Sequence, residues 1–449
     1  MSSDIFSQEV PRKTVSLLLE EGELLLVQDG NHGGNYPTQS DFVESGGIPL
    51  ITGANIVDGF LDLDSGKHIS REKASNLRVG TAKEGDLLLT HKGTMGKTAI
   101  VPPLKTPFVA VNPQITIYRI NPSGSLDVRF LRYYFDSPEF QNYLARISST
   151  STISTLSLTN QKDLEIPFPS VEWQRQIAHI LGTLDDKIEL NRKINETLEA
   201  IAKALFKSWF VDFDPVRAKA EGRPTGLPAE ISDLFPDSFE DSELGEIPSG
   251  WKISNLGSLI KQCGEPIQAS LTTRELPYVP IDCISSRSLS LREYKSGAEA
   301  NTSLLLFREG DLLFGAMRPY FHKVCIAPFD GTTRTTCFAL RPFTDSHYSF
   351  VAMLLSNAST IEYATLHSTG STIPYIRWSN GLENMLLTQP PHPILDCFNN
   401  TALPLLRKIS ISLFTENPIA AVRDILLPKL ISGEIRIPDA EKMLEEVGI

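Results

Sequence analysis

Basic, aromatic and hydroxyl side chains are concentrated in two short loops, each of which follows a Gly-Asp-Leu-Leu sequence. The first loop lies in residues 91–97 (HKGTMGK) and carries Lys92, Thr94 and Lys97. The second lies in residues 315–323 (GAMRPYFHK) and carries Arg318, Tyr320, His322 and Lys323. Arginine can form two hydrogen bonds to a guanine edge, and lysine, threonine or tyrosine can reach a phosphate. We therefore predict that both loops contact nucleic acid, although a plain surface turn explains any single residue about as well.

A second polar segment follows each loop. Ser-Thr-Ile occurs at residues 151–153 and again at residues 371–373, within runs rich in serine and threonine. Hydroxyls and free backbone N–H groups suit phosphate contacts. The predicted contact residues are therefore Ser151, Thr152, Ser371 and Thr372, with Arg377 as a further candidate a few residues later.

Reactive centres of the common kinds are not predicted. The run GTMGKT at residues 93–98 has only two residues between its glycines, whereas a P-loop requires four before Gly-Lys-Ser/Thr. The histidines show no H-E-x-x-H spacing, there is no G-x-S-x-G sequence, and neither Pro-Pro pair fits the motif of an adenine methyltransferase. The five cysteines form no C-x-x-C pair, which predicts reduced, buried thiols. The sequence thus predicts no catalytic residue and no metal site.

The elements that must position these loops occur twice in the chain. Each copy has a strand-like segment before its loop, a helical segment after it, and a Pro-containing strand at its end. The helical segments are predicted over residues 130–147 and 347–366. Matching features lie about half the chain apart, which indicates a duplicated module rather than a solenoid with repeats of roughly 20–50 residues.

A heptad pattern replaces the strand-like pattern after Glu172. With Ile177 at position a, the predicted a positions are Ile177, Leu184, Asn191, Leu198 and Leu205, and the predicted d positions are Ile180, Lys187, Ile194, Ile201 and Ser208. Most are aliphatic, which is typical of a coiled-coil seam, although an ordinary amphipathic helix is an alternative. A helix from Glu172 to Val211 would be about 60 Å long. The predicted partner runs from Leu403 to Leu430, has Leu406 and Leu413 on its seam, and is interrupted at Asn417-Pro418.

These patterns predict an α+β fold with two tandem mixed α/β modules, separated by two long helices that form an antiparallel coiled coil. The predicted segments are a first module (1–170), a central helix (171–213), a linker rich in acid, Pro and Gly (214–250), a second module (251–394), a C-terminal helical region (395–437) and a tail (438–449).

Charge does not exclude binding to a polyanion. The net charge is −12, but residues 214–250 hold nine acidic and three basic residues and supply half of that excess. The second module is nearly neutral, so a local basic patch remains compatible with phosphate contacts. There is neither a bilayer-length apolar run nor an apolar signal core at the N-terminus, so we expect a cytoplasmic protein with no membrane partner.

Three runs resemble one known family. Residues 172–215 (EWQRQIAHILGTLDDKIELNRKINETLEAIAKALFKSWFVDFDP), 244–251 (LGEIPSGW) and 423–437 (RDILLPKLISGEIRI) are similar to the central, second-module and C-terminal regions of the specificity subunits of Type I restriction–modification systems. The resemblance covers nearly the whole chain.

The resemblance implies two target recognition domains, each of which reads one half of a bipartite sequence in double-stranded DNA. The coiled coil would set the spacer between the half-sites and dock methylation subunits, of which two are expected. Those subunits would bind S-adenosylmethionine, restriction subunits would use ATP and Mg²⁺, and this chain would hold no cofactor and catalyse no reaction. The alternative is a duplicated scaffold that bridges partner helices without reading DNA.

Overall fold

The computed structural model describes residues 10–31, 36–57, 59–63, 66–150, 155–268, 273–300 and 303–446. The chain divides into two compact units, one formed by Met1–Lys187 with Ile419–Ile449 and the other by Ile188–Pro418. Each unit contains one copy of the repeated module.

The first module is built on a four-stranded and a five-stranded sheet. Its strands are β1 (Arg12–Thr14), β2 (Leu24–Asp29), β3 (Phe42–Val43), β4 (Ile48–Ile51), β5 (Ile56–Val57), β6 (Phe60–Leu61), β7 (Lys67–Ile69), β8 (Thr81–Ala82), β9 (Leu87–Thr90), β10 (Thr98–Ile100), β11 (Val109–Val111), β12 (Ile115–Ile120) and β13 (Glu165–Pro167). Its helices are α1 (Val15–Glu20), α2 (Arg71–Ser75), α3 (Val128–Asp136), α4 (Pro138–Thr150) and α5 (Leu158–Lys162). The sheets have the orders β10-β9-β12-β2 and β3-β7-β4-β11-β8, and β1 pairs with β13 so that the two ends of the module meet.

The second module repeats this arrangement. A small hairpin, β14 (Phe239–Ser242) and β15 (Gly245–Pro248), precedes it. Its strands are β16 (Lys252–Asn255), β17 (Ile260–Gln262), β18 (Glu265–Ile267), β19 (Pro277–Tyr278), β20 (Lys295–Ser296), β21 (Leu304–Phe307), β22 (Leu312–Gly315), β23 (Val324–Ile326), β24 (Gly331–Arg334), β25 (Cys337–Pro342) and β26 (Leu386–Gln389). The four-stranded sheet has the matching order β23-β22-β25-β17, and β16 pairs with β26 to close the module. In both copies the other sheet contains one parallel pair, β4 with β11 and β19 with β24.

The repeated Gly-Asp-Leu-Leu sequence forms the turn and strand at the centre of each four-stranded sheet. Gly85 and Gly310 both have φ near 83°, a left-handed conformation that glycine adopts without a Cβ clash. The buried Asp86 accepts two hydrogen bonds from the Arg119 guanidinium, at 2.8 and 2.6 Å, and one from the Lys83 backbone N–H. Asp311 is held in the same way by Arg341 and by the N–H of residue 308. The duplication therefore preserves a two-point ion pair that fixes this turn.

We expect alanine at either aspartate to destabilise only the module that contains it. The substitution leaves an arginine and a backbone N–H without their acceptor, and the half-exposed guanidinium can still reach water, so the cost is about 2–3 kcal/mol. Hydrogen exchange followed by mass spectrometry should show faster exchange in residues 81–120 for Asp86→Ala and in residues 304–342 for Asp311→Ala. Faster hydrogen exchange in both modules of one variant would contradict the prediction that each ion pair stabilises only its own module.

Each predicted single helix of a module is two helices in the structure. In the first module the break lies between α3 and α4, where Ser137 is extended and precedes Pro138. Proline disfavours helical backbone in the residue before it, which ends α3 there. In the second module α9 (Tyr348–Leu355) ends before Asn357, whose side chain caps α10 (Ala358–Leu366) by accepting the Ser359 N–H. The prediction of one continuous helix over residues 130–147 and one over residues 347–366 was therefore wrong, since each range contains two helices.

The central helix α6 (Val171–Phe210) forms as predicted, but its buried stripe differs from the predicted seam. Ile177, Ile180 and Leu184 are buried, whereas Asn191, Ile194, Leu198 and Leu205 are half-buried, and Lys187 and Ile201 are exposed. From Ile188 onward the buried positions lie one residue later, at Ile188, Asn195, Glu199, Ala202, Phe206 and Trp209. A helix of 3.6 residues per turn drifts in this direction by about 20° per heptad relative to a strict repeat of seven, which accounts for only part of the ~100° that one residue spans.

Two polar residues occupy that stripe because each has a partner. The Asn195 side chain donates to Glu416 Oε1 at 3.3 Å. Glu199 accepts hydrogen bonds from the Ser288 hydroxyl at 2.7 Å and the Leu289 N–H at 2.9 Å. Buried polar groups are stable only when they are paired in this way, and a pattern based on hydrophobicity could not identify them.

The second helical region is also divided differently from the prediction. It consists of α11 (His392–Ser410) and α12 (Ser412–Ser432), so the break lies at Ile411 and α12 continues through Pro418. The hydroxyls of Ser410 and Ser412 donate to backbone carbonyls in this turn, and such bonds compete with the helical pattern. Leu406 and Leu413 are buried as predicted. Within the second unit, Asn195 lies against Glu416 and the Phe206 ring against Phe398, so the helices run antiparallel.

Two predicted segments outside the modules are ordered elements. Residues 214–250, predicted as a linker, form α7 (Asp214–Ala220), α8 (Ala229–Ser232) and the β14–β15 hairpin, with Val216 and Phe235 buried in the aromatic core of the second unit. The predicted tail contains α13 (Ile437–Glu446), in which Ala440 and Leu444 are buried. A few well-placed apolar residues anchor both segments, and composition averages do not reveal them. Among the described residues, no helix combines the length and apolarity needed to cross a bilayer.

Candidate nucleic-acid interface

In each module the structure pairs the predicted loop with the residues that follow the Ser/Thr-rich segment. In the first module Lys92 forms an antiparallel backbone bridge with Thr155, and the Leu156 N–H donates to the His91 carbonyl at 2.9 Å. In the second module the equivalent Met317 bridges Tyr375, and the Ile376 N–H donates to Ala316 at 3.0 Å. In each module the loop and these following residues therefore form one surface at the end of the four-stranded sheet. In the second module Thr369 of the polar segment joins this surface by bridging Tyr375.

The lysine that closes each loop has an internal role. Lys97 Nζ donates to the carbonyls of Gly53 and Ile56 at 3.2 and 3.1 Å. At the equivalent position Lys323 Nζ donates to the Ile281 carbonyl at 2.8 Å. Both lysines thus tie the loop to a 3₁₀ turn in the N-terminal part of its module. These hydrogen bonds give both lysines a positioning role in the loop, and their predicted contact with DNA stays a prediction.

The remaining predicted residues differ in exposure. Those that face solvent are Lys92, Thr94, Tyr320, Ser371, Thr372 and Arg377. Arg318 is half-buried, and its Nε is enclosed with no hydrogen-bond partner among the described residues. His322 is half-buried and its Nε2 lies 2.7 Å from the Ser356 carbonyl oxygen, to which it donates. Ser151 and Thr152 lie outside the described residues.

A buried polar network supports the first loop from below. His91 Nδ1 lies 2.9 Å from the Thr116 hydroxyl, which donates to Asp29 at 2.7 Å and accepts from Gln161 at 2.8 Å. The Tyr118 hydroxyl donates to Gln161 Oε1 at 2.6 Å. Burial lowers the pKa of His91, and the carboxylate of Asp29 opposes that shift. Burial thus favours the neutral imidazole, and His91 holds the start of the loop through its hydrogen bond to Thr116.

Backbone conformation distinguishes the two loops. Gly93 and Gly96 of the first loop have φ of 77° and 91°. The equivalent positions in the second loop are Arg318 and His322, with φ of 51° and 54°. Non-glycine residues are disfavoured in this left-handed region and cluster at functional sites. Sequence reasoning selected both residues for their side-chain type but missed this strain, which aligning the two loops residue by residue would have indicated.

The fold and these paired surfaces define a class of protein with two copies of one α/β module, each joined to a long helix and each presenting a polar loop surface. Comparison with known proteins identifies the family. The family model described as the Type I restriction modification DNA specificity domain matches residues 22–200. The MjaIX specificity subunit of a Type I restriction enzyme from Methanocaldococcus jannaschii is 30% identical over 431 residues, which cover 91% of each chain.

Two further relatives agree. The HindI specificity subunit from Haemophilus influenzae is 25% identical over 368 residues, covering 70% of this chain and 79% of that protein. The crystal structure of a Type I system S subunit from M. genitalium has a TM-score of 0.51 at 14% identity, covers 96% of this chain and 97% of that chain, and shows the likeness of fold. The chain belongs to the family of Type I restriction enzyme specificity subunits. The predicted family and fold class are thus confirmed.

Proposed function

We propose that this chain is the DNA specificity subunit of a Type I restriction–modification complex, in which each module reads one half of a bipartite target. The observation that carries the proposal is the pair of loop surfaces, which occupy the same position on the same fold. Their scaffold residues match, such as Asp86 with Asp311 and Lys97 with Lys323, while the exposed side chains differ. Two modules that recognise different half-sites need the same scaffold residues and different exposed contact residues.

The proposed partners follow from the same role. The chain binds double-stranded DNA, two methylation subunits and restriction subunits. S-adenosylmethionine, ATP and Mg²⁺ belong to those subunits, and this chain contributes recognition without catalysis. Its affinity for DNA should fall as salt rises, because phosphate contacts release condensed counterions.

The exchange of one module tests this function. Residues 10–170 would be replaced by the first module of another family member, in a complex co-expressed with methylation subunits. The ends of this segment are joined by the β1–β13 pairing, so the exchange keeps the closing strands of one module together. Methylome sequencing should show a new sequence in one half of the target and the original sequence in the other half.

The reciprocal exchange of residues 251–390 is the control, and it should change only the other half. A single exchange that altered both halves would show that the modules are not independent readers. A wild-type complex without site-dependent methylation, and without binding that weakens with salt, would overturn the proposed function.

A further inference from the structure

The second loop presents two adjacent aromatic rings to solvent. Tyr320 and Phe321 are 49% and 46% exposed, and their ring centroids lie 4.8 Å apart on a single 3₁₀ turn, Pro319–Phe321. The corresponding positions of the first loop, between its two left-handed glycines, hold Thr94 and Met95. Two large rings exposed together at the tip of a rigid turn are available to bind an external flat surface.

The turn that carries the rings is held from three sides. The Arg318 N–H donates to the Pro374 carbonyl at 2.7 Å. The imidazole of His322 is anchored on Ser356, and the Ser286 hydroxyl donates to the Phe321 carbonyl at 2.6 Å. These bonds maintain left-handed backbone at both ends of the turn, at positions where the first module uses glycine. The backbone that carries the rings is therefore held in place before any ligand arrives, which reduces the entropy lost on binding.

Positive charge surrounds the same turn. Arg287 is exposed, is itself left-handed at φ 61°, and donates its N–H to the His322 carbonyl at 2.8 Å. Lys203 Nζ donates to the Arg287 carbonyl at 3.1 Å. Burial lowers the pKa of His322, and the charges of Arg287 and Lys203 lower it further. The exposed guanidinium of Arg287 and the half-buried guanidinium of Arg318 place positive charge beside the apolar tip, whereas the Lys203 ammonium is paired with Glu199 at 3.2 Å. This arrangement complements a polyanion with exposed flat edges.

We propose that Tyr320 and Phe321 insert as an apolar wedge beside one base step of the half-site read by the second module, while Arg287 and Arg318 bind the flanking phosphates. The inference rests on the proposed function and specifies how one half-site is read. An inserted aromatic side chain partly unstacks a base step, and the cost depends on the sequence of that step. Pyrimidine–purine steps yield most easily, so the wedge selects such a step by its deformability.

The test uses the complex of the full chain with its methylation subunits and duplexes that carry the target found by methylome sequencing. 2-Aminopurine replaces one base of the second half-site at a time, and its fluorescence rises when the base unstacks. The methylated base stays unlabelled, because methyltransferases flip their target out of the helix. The wild-type complex should raise the fluorescence several-fold at one step only. Tyr320→Ala/Phe321→Ala should abolish that rise and weaken binding on the order of 10- to 100-fold.

Phe343→Ala is the matched control. Phe343 is 54% exposed and follows β25 at the opposite end of the same sheet from the loop, so its removal should leave both fluorescence and affinity unchanged. Site-specific binding by the wild type with no fluorescence change at any labelled position would overturn the wedge but leave the proposed function intact. The double variant could instead lose its methylation subunits while its complex with DNA still shows the fluorescence rise. That result would overturn the wedge and show that Tyr320 and Phe321 contact a protein subunit. A wild-type complex with no site-specific binding would overturn both.

Discussion

Alanine at Asp185 is expected to lower the free energy of unfolding of the first unit by about 3–5 kcal/mol, the usual cost of removing one partner from a buried ion pair. Asp185 is buried on the central helix α6 and is contacted by three side chains. It accepts hydrogen bonds from Tyr133 at 2.8 Å and Arg423 at 3.0 Å, and it forms an ion pair with Arg132 at 3.0 Å. The donors come from α3 and α12, so one carboxylate joins the module to both helical regions within this unit.

The loss should be large because the neighbouring acid cannot replace Asp185. Asp136 accepts from Arg132 Nε at 3.2 Å and from the Thr98 hydroxyl at 2.5 Å. Burial raises the pKa of Asp136, and the charge of Arg132 opposes that shift. Without Asp185, Arg423 keeps only the exposed Asp424 as an ionic partner among the described residues, and the buried Tyr133 hydroxyl loses its acceptor.

Asp186→Ala provides the control for this prediction. Asp186 is the next residue, carries the same charge and is exposed, and its nearest described cation, Arg129, is 3.9 Å away. An exposed pair at this distance contributes at most a fraction of 1 kcal/mol. Hydrogen exchange in α3 and in residues 171–187 should accelerate strongly for Asp185→Ala and hardly at all for Asp186→Ala. Similar exchange in the two variants would show that the cluster does not hold the unit together.

Alanine at Phe210 is expected to destabilise the second unit by about 3–5 kcal/mol, which is typical of a phenylalanine removed from a close-packed core. The Phe210 ring packs against Phe398 and Phe350, with centroids 4.9 and 5.0 Å away in edge-to-face geometry, and against Trp251 at 6.0 Å. These partners belong to α11, to α9 and to the start of the second module. The end of α6 is therefore part of that module's core, and the cavity would open at its centre.

Val211→Ala is the matched control, since Val211 follows directly in sequence and faces solvent. Hydrogen exchange of the amides in residues 348–355 and 392–406 should be faster in Phe210→Ala than in the wild type. The amides of the first unit should keep their protection. Equal exchange in the two variants would mean that the aromatic cluster is not the core of this unit.

Much of the architecture could be predicted because it is encoded locally and twice. The Gly-Asp-Leu-Leu turn needs a glycine with positive φ and a buried aspartate, and both occur at the same place in each copy. The length of α6 follows from an uninterrupted run of helix-forming residues, and the antiparallel helical partner follows from a second apolar stripe. The candidate loops were found for the same reason, since their side-chain types stand beside a repeated scaffold.

Positions that depend on distant partners could not be predicted. Asn195 and Glu199 lie on the buried stripe only because Glu416, Ser288 and the Leu289 N–H satisfy them. Residues 214–250 look like a linker in composition, yet Val216 and Phe235 bury themselves in an aromatic core supplied by other segments. The internal hydrogen bonds of Lys97 and Lys323 could not be predicted because their carbonyl partners lie more than forty residues away.

The sequence by itself determined the duplicated modules, the long central helix and which loops face each module's candidate surface, because turn chemistry and hydrophobic periodicity act over a few residues. Tertiary structure alone decided which side chains on those elements are free to bind and which are committed to the fold. That choice depends on burial and on hydrogen-bond partners brought together from far along the chain, and a linear pattern contains neither. The tertiary structure leaves Lys92, Tyr320 and Phe321 exposed, whereas Lys97 and Lys323 donate hydrogen bonds to backbone carbonyls.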